Sequence, residues 1–328
     1  NLTYEKLMQA HIKSRKGKGN RKEIIMFNLK QEEYIMWLLE ELKNKTYKHG
    51  GYTTFYVTEP KLRKIEKSRY IDRVVHRWLV DNFLEPAFIP QLINTTYACI
   101  KNRGMHKACL DVQKAMRKCK NKWGNYYILK MDIAKYFDNI NKKILLKIIE
   151  RKIKDKNILW LIKEILYAQK REKGLEIGNY TSQIFANIYL NEIDQYIKHK
   201  LKIKYYFRYM DDSTLFLQTK REAIEALKKI KEYLKENLEL ELNKKTQIFK
   251  DKQGVNFCGY KINENRLKIR DKGKRKLKKK VKKLKQQIKE EKITSKEAYK
   301  YLAGHMGYIE IADTYMLEES LFYTEEQI

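Results

Sequence analysis

Two β-prone, largely apolar stretches of this chain run into carboxylates, and that pattern limits the fold more than any other feature of the sequence. Tyr126–Ile133 reads as a strand with Asp132 near its end. Tyr205, Phe207 and Tyr209 alternate with polar neighbours, turn through Met210-Asp211-Asp212, and continue into Thr214–Leu217. A lone Asp at a strand end is ordinarily a cap or turn former, and an Asp-Asp pair in a hairpin is common. The combination is harder to dismiss. If the two stretches are neighbours, three like charges meet at one point, which is costly without a cation between them.

The order of elements permits that meeting. Helices are expected over Ile140–Ile149, roughly 158–168 and 182–200, then from Arg221 to Leu234, with a last short strand at Val255–Tyr260. Without the inserted helices the order is strand, helix, strand, strand, helix, strand. This is the split βαβ, ferredoxin-like arrangement, in which the first strand and the central hairpin can lie side by side. Upstream, residues 1–50 read as helical and basic, with Ile35, Leu38, Leu39 and Leu42 at helical spacing and a basic Gly-containing loop from Lys13 to Lys22. Tyr52–Val57 is β-prone and ends at a turn marked by Pro60, and 71–88 returns to helix. Near the C-terminal end, Leu277, Val281, Leu284 and Ile288 form one apolar stripe under the basic face of Lys274–Lys292.

Charge points to the partner. Lys plus Arg number 72 against 41 Asp plus Glu, a net charge of +31. A Lys-rich proteome explains part of the Lys count but not such an excess over acid, and a field of that sign steers a protein onto polyanions. Cys99, Cys109, Cys119 and Cys258 form no C-x-x-C pair, and the six histidines form no metal-binding helix motif. Reduced, ordinary cysteines are expected. No apolar run approaches a membrane span and no signal-peptide core is present, so a cytoplasmic setting is expected. The chain begins at Asn1, so a few residues upstream are expected to be missing.

Joining a nucleotide to a 3′ end is an in-line phosphoryl transfer that uses two metal ions roughly 3.5–4 Å apart. Mg²⁺ takes hard oxygen ligands, so carboxylates at a strand end beside a hairpin turn suit it. Here the residues themselves become familiar. Tyr209-Met210-Asp211-Asp212 resembles the YxDD signature of reverse transcriptases. Asp132-Ile-Ala-Lys-Tyr-Phe-Asp138-Asn-Ile is similar to the preceding acidic motif of the group II intron-like branch. Ile177-Gly178-x-x-x-Ser182-Gln183 occupies the place of the motif that positions template and incoming nucleotide. Lys245-Thr246 and Phe257-Cys258-Gly259-Tyr260 resemble the later palm motifs, the second being the primer grip. Glu59-Pro60-Lys61-x-Arg63 followed by Asp72-Arg73-Val74-Val75 is similar to the fingers motifs. The resemblance runs from about residue 52 to 262, and its motifs are strong together rather than singly.

That resemblance implies an α+β right-hand polymerase with fingers, a ferredoxin-like palm and a short helical thumb. The corresponding segments are a basic helical extension at 1–50, fingers at 51–125, palm at 126–262 with a helical insertion at about 141–172, and thumb at 263–328. Asp132 and Asp211 would ligate two Mg²⁺ ions, for which Mn²⁺ could substitute, with Asp212 nearby and less direct. Lys61 and Arg63 would hold triphosphate oxygens, Arg through its planar fork. Phe137 would be the steric gate against a ribose 2′-OH, and Lys245 a proton donor to the leaving pyrophosphate. Without the motif, Phe137 would read as a core aromatic. The basic C-terminal helix, alone a solvated surface helix, becomes as good a candidate for gripping a duplex.

Departures decide the branch. Group II intron and retron enzymes usually carry Gln at the position of Ile177 and Pro at that of Gln183. The form here resembles reverse transcriptases of diversity-generating retroelements. Chain size agrees, and neither a maturase or endonuclease extension nor an RNase H-like tail is expected. The implied function is error-prone copying of a template-repeat RNA into cDNA, altered opposite adenines, in a bacterial, archaeal or phage-encoded system. The implied partners are dNTPs, template RNA, a structured retroelement RNA and a small basic accessory protein that is oligomeric. Rival readings are a compact group II-like enzyme, an antiphage reverse transcriptase making untemplated DNA, and a catalytically idle RNA-binding scaffold.

Overall fold

Capping side chains set the starts of several helices, those opening at Tyr4, Lys142, Lys156 and Ser295 among them. In the computed structural model, which describes residues 2–58 and 62–322, the chain opens with α1 (Tyr4–Arg15), α2 (Lys22–Leu29) and α3 (Gln31–Asn44). A hairpin of β1 (Tyr52–Val57) and β2 (Arg63–Ser68) leads into α4 (Tyr70–Leu79), then a π-helical turn at Val80–Leu84 and α5 (Glu85–Phe88). Next are α6 (Met105–Trp123), β3 (Tyr127–Asp132), α7 (Tyr136–Asn139), α8 (Lys142–Glu150), α9 (Lys156–Leu166) and α10 (Tyr180–Gln195). β4 (Tyr205–Tyr209), β5 (Asp212–Leu217), α11 (Lys220–Leu238) and β6 (Gln247–Lys250) follow. After them come β7 (Val255–Phe257), β8 (Tyr260–Ile262), β9 (Leu267–Ile269), α12 (Asp271–Lys289), α13 (Ser295–Ile309) and α14 (Tyr315–Phe322). Asn141 and Asp155 cap α8 and α9 by accepting from two backbone N–H groups each, and Thr294 with Glu297 closes a capping box on α13.

Two compact units result. The first comprises Asn1–Asn94, Ile133–Lys202 and Lys229–Lys244, and the second Thr95–Asp132, Ile203–Lys228 and Lys245–Ile328. In the first unit α10 packs against α4 and α8, and α1 against α4. α10 is buried around most of its circumference, polar Thr181, Ser182, Asn187 and Asp194 included, and Ile184, Phe185, Ile188, Tyr189 and Leu190 are all buried. The inner side of α4 contributes Val74, Val75, Trp78 and Leu79.

Three histidines of this unit tie its stability to pH. His11 and His76 are buried, and the rings of His49 and His76 stack with centroids 5.2 Å apart. Burial holds all three imidazoles below their ordinary range, His76 well below it. The unfolded chain therefore takes up protons that the folded chain does not, and stability falls as pH drops through about 6.5. Each group contributes up to about 1.4 kcal/mol per pH unit. A melting temperature followed from pH 7.5 to 5.5 is expected to fall steadily, and His76→Gln should flatten the slope. A flat wild-type profile over that range would contradict this.

In the second unit β3, β4, β5 and β6 form one antiparallel sheet in the order β4-β5-β3-β6. That is the ferredoxin-like strand order, with the first strand flanked by the third and the fourth. Its fourth strand is Gln247–Lys250, not the expected Val255–Tyr260. β6 is a short edge strand bearing Gln and Lys, as edge strands tend to, so its apolar pattern is weak. The more apolar segment is cut off by Gly254 at φ +62° and interrupted at Cys258-Gly259. It pairs instead into a separate three-stranded sheet, β7-β8-β9. Against that small sheet pack Val112 and Met116 of α6 and the stripe Leu277, Val281 and Leu284 of α12, leaving the Lys-rich face of α12 outward.

Candidate active site

The register of the four-stranded sheet positions the acids. Asp132 ends β3 directly opposite Asp212, which begins β5, and Tyr209 lies opposite Asp212 from the other side. Met210 and Asp211 are left as a two-residue hairpin turn. Met210 carries a φ of +56°, a left-handed conformation that glycine normally fills at such a position. Strain of this kind persists only where the surroundings enforce it. Here the Nη1 of Arg208 donates to the Met210 carbonyl at 3.0 Å, and its Nη2 donates to Thr96 Oγ1 at 3.5 Å. Arg208 is 1 % exposed, so a buried guanidinium braces the turn. The sequence did offer one sign of it, a single cation on the otherwise aromatic strand Tyr205–Tyr209.

Lys130 was likewise not foreseen. Two residues before Asp132 on a strand, it shares that residue's face. Its ammonium forms an ion pair with Asp212 and lies 4.7 Å from the centroid of the Phe257 ring. Burial pushes the Asp212 carboxyl up to about 6; Lys130 pulls against that, while Asp132 and Asp211 add to it. Among the described residues no three His, Cys, Asp or Glu groups are gathered closely enough to hold a metal ion. The donor chemistry nonetheless fits a hard divalent cation: carboxylates alone, on adjoining strand ends, mutually repelling and with Lys130 as counter-charge.

The loop Phe257-Cys258-Gly259-Tyr260 joins β7 to β8, with Cys258 and Gly259 both at positive φ. Tyr308 of α13 supports it from below. Its hydroxyl donates to the Cys258 carbonyl at 3.0 Å, and its ring stacks on Tyr260 at 4.6 Å. Lys245 is exposed in the turn before β6.

The remaining predicted residues belong to the first unit. Arg63 opens β2 and is exposed, while Lys61 lies outside the described residues. The Ile177 carbonyl accepts from Glu66 N at 2.9 Å, and the Asn179 side chain donates to the Glu66 carbonyl at 2.8 Å. Gly178, at φ +116°, sits where an added Cβ would lie 2.8 Å from Ile65 Cγ2, so the loop can approach β2 only with glycine there. An ionic cluster underlies this seam, with Lys142, Glu66 and Glu176 buried and Arg171 partly exposed. Arg171 bonds Glu66 at 2.9 Å and Glu176 at 3.1 Å, and the fully buried Lys142 stands 3.6 Å from Glu176. Gln183, in the first turn of α10, lines a basic cavity of about 260 Å³ together with Lys13, Lys18, Arg73, Arg77 and Gly178. Phe137 is half-buried on α7, edge-on to Tyr136, and its carbonyl accepts from Leu175 N at 2.8 Å. Asp132 and Asp212 thus face each other across one sheet with Asp211 in the adjoining turn, and Ile177, Gly178 and Gln183 share one loop and helix start.

Residues 53–262 match the family described as Reverse transcriptase (RNA-dependent DNA polymerase). The chain belongs to that family. The matched span of this reverse transcriptase runs from β1 to β8 and contains every predicted site residue. Protein YkfC of Escherichia coli (strain K12) is 24 % identical over 243 residues, covering 62 % of this chain and 63 % of that protein. The group II intron-encoded protein LtrA of Lactococcus lactis subsp. cremoris is 26 % identical over 185 residues, covering 53 % of this chain and 30 % of LtrA. The reverse transcriptase therefore spans less than two thirds of these curated relatives. Among solved structures, telomerase from Candida albicans in complex with a fragment of telomeric RNA matches with a TM-score of 0.52 at 13 % identity. That match covers 74 % of this chain and 50 % of the telomerase chain, and at such identity it speaks for the fold alone.

Proposed function

We propose that this protein is an RNA-directed DNA polymerase of the group II intron-like kind that copies a template-repeat RNA into adenine-mutagenised cDNA, for diversification of a target gene. The polymerase part is supported by the palm sheet with its three acids and by the family match. The diversity-generating part rests on one observation, the Ile177-Gly178-x-x-x-Ser182-Gln183 form of the template-positioning motif.

In this reading Asp132 and Asp211 hold two Mg²⁺ ions, with Mn²⁺ a substitute, and Asp212 is drawn back toward Lys130. The bound ions supply activation of the 3′ oxygen and neutralisation of the leaving group. Lys61 and Arg63 grip the triphosphate, Phe137 excludes a 2′-OH, and Lys245 protonates the departing pyrophosphate. Phe257, Cys258, Gly259 and Tyr260 seat the primer end, stiffened by Tyr308. The fingers, palm and thumb follow the segments read from the sequence. The basic face of α12 takes the duplex, and the partners are template RNA, cDNA, dNTPs, a structured retroelement RNA and a small basic accessory protein.

Ile177 has a physical part in low fidelity. A Gln there could hydrogen-bond the nucleotide or its template surroundings; Ile cannot. A net hydrogen bond is worth roughly 0.5–1.5 kcal/mol, several-fold in selectivity. Products made by purified protein with Mg²⁺, dNTPs and a primed RNA are expected to carry changes concentrated opposite adenines. Ile177→Gln should lower them several-fold. Unchanged misincorporation in that variant would remove the role given to Ile177. Faithful copies with scattered errors from the unaltered chain would instead favour the second reading, a compact group II intron-like enzyme, for which the likeness to LtrA speaks.

A further inference from the structure

The most basic parts of the sequence are the obvious places for RNA, but α3 presents a surface of the opposite kind, next to an α2 that is apolar on its outward side and bears exposed Lys22 at its start and Lys30 at its end. Their inward faces are already filled, by Ile24 and Phe27 on α2 and by Ile35, Leu38, Leu39 and Leu42 on α3. Yet Ile25, Met26, Leu29, Tyr34, Met36 and Trp37 are also exposed, Leu29 to 74 %. Apolar residues scattered singly over a surface are ordinary; six large ones within thirteen residues of two consecutive helices mark an interaction face.

Charge then narrows the occupant. Between Gln31 and Leu42 the chain has Glu32, Glu33, Glu40 and Glu41 and no Lys or Arg, in a protein of net charge +31. Glu32 and Glu33 occupy the first turn of α3, where the helix dipole favours acids. Glu40 and Glu41 lie toward the opposite end, where it disfavours them, so helix stability does not account for their presence. Among the described residues Glu33 pairs with Lys30 at 3.2 Å on the surface, and no ion pair is found for Glu32, Glu40 or Glu41. Carboxylates around exposed Met36 and Trp37 repel both RNA and an anionic bilayer. They complement an apolar patch rimmed by cations on another protein.

We infer that the α2–α3 face, centred on Leu29, Met36 and Trp37 and flanked by Glu32, Glu33 and Glu40, docks a small basic protein. The identity of that partner rests on the proposed function, which calls for such an accessory protein; the location comes from exposure and charge. Docking here leaves the Lys-rich surfaces for nucleic acid.

The test mixes the purified chain with a small basic accessory protein of the diversity-generating class and measures affinity by titration calorimetry at two salt concentrations. Leu29→Ser/Trp37→Ser and, separately, Glu33→Lys/Glu40→Lys are each expected to weaken binding at least tenfold. Tyr299→Ser, an exposed residue of the second unit, should not, and primer extension on RNA by the chain alone should match wild type in every variant. Wild-type affinity in both double variants overturns the docking face while leaving the accessory protein in place. If the basic protein does not bind the unaltered chain, the accessory reading fails, and a photo-crosslinker at position 37 in the source cells decides the surface. Capture of a protein of pI above about 9, whose purified form binds in a Trp37-dependent way, upholds the face. Crosslinks to RNA, to an acidic protein, to a second copy of this chain or to nothing overturn it.

Discussion

Asp211→Asn is expected to lower metal-dependent primer extension by at least about 10³-fold, a loss of roughly 4 kcal/mol in transition-state stabilisation. Folding should be untouched. Asp211 is half-exposed in a hairpin turn, and removing its charge relieves the repulsion it exerts on Asp212. The melting temperature should therefore stay level or rise slightly. Asp212→Asn should cost activity less, on the order of 10- to 100-fold, because Lys130 already compensates that carboxylate. Extension rates and melting curves of the two variants, measured side by side with Mg²⁺, check both the size and the ranking. Asp211→Asn retaining activity within tenfold of wild type would sink the assignment of the catalytic acids.

The second large effect concerns stability. Glu176→Gln should destabilise the first unit by about 3–5 kcal/mol, because it leaves the buried ammonium of Lys142 without its neighbouring carboxylate. Burial already holds Lys142 below the usual lysine range even with Glu176 present. For a unit of this size the melting temperature should fall on the order of 10 °C. Lys142→Met/Glu176→Leu should recover most of it, since an apolar pair of similar volume has no charge to desolvate. Chemical denaturation of the three proteins decides the matter. A single variant losing under about 1 kcal/mol would mean the cluster is solvated and does not hold Ile177–Asn179 against β2. At temperatures where the single variant stays folded, a raised KM for dNTP with kcat little changed is expected, because the loop is loosened rather than the acids.

The two predictions differ in how far they could be read in advance. Asp211 announced itself, since an Asp-Asp pair in the turn of an aromatic hairpin is local information. Glu176 did not. Its partners Lys142 and Arg171, and the Glu66 that shares Arg171 with it, are spread over more than a hundred residues, and nothing in their spacing says that they meet. The same contrast runs through the palm. Tyr126–Ile133 and the hairpin were legible because a strand's period of two survives in any context. β6 was passed over because a short polar edge strand is defined by the neighbour it pairs with, here β3.

By itself the sequence singled out the residues proposed to carry the chemistry: Asp132 at a strand end, Asp211 and Asp212 at a turn, and Ile177 before a glycine at positive φ. It determined the α+β class through the order of elements. Only the tertiary structure decided that Lys130 pairs with Asp212, that Arg208 braces the strained Met210, that Tyr308 supports the Cys258-Gly259 turn, and that β7 leaves the palm sheet. Periodicity and turn chemistry are set by residues a few positions apart and so are written locally. The partner of a buried charge or an edge strand is set by chain that returns from far away, and is fixed only when the fold closes around it.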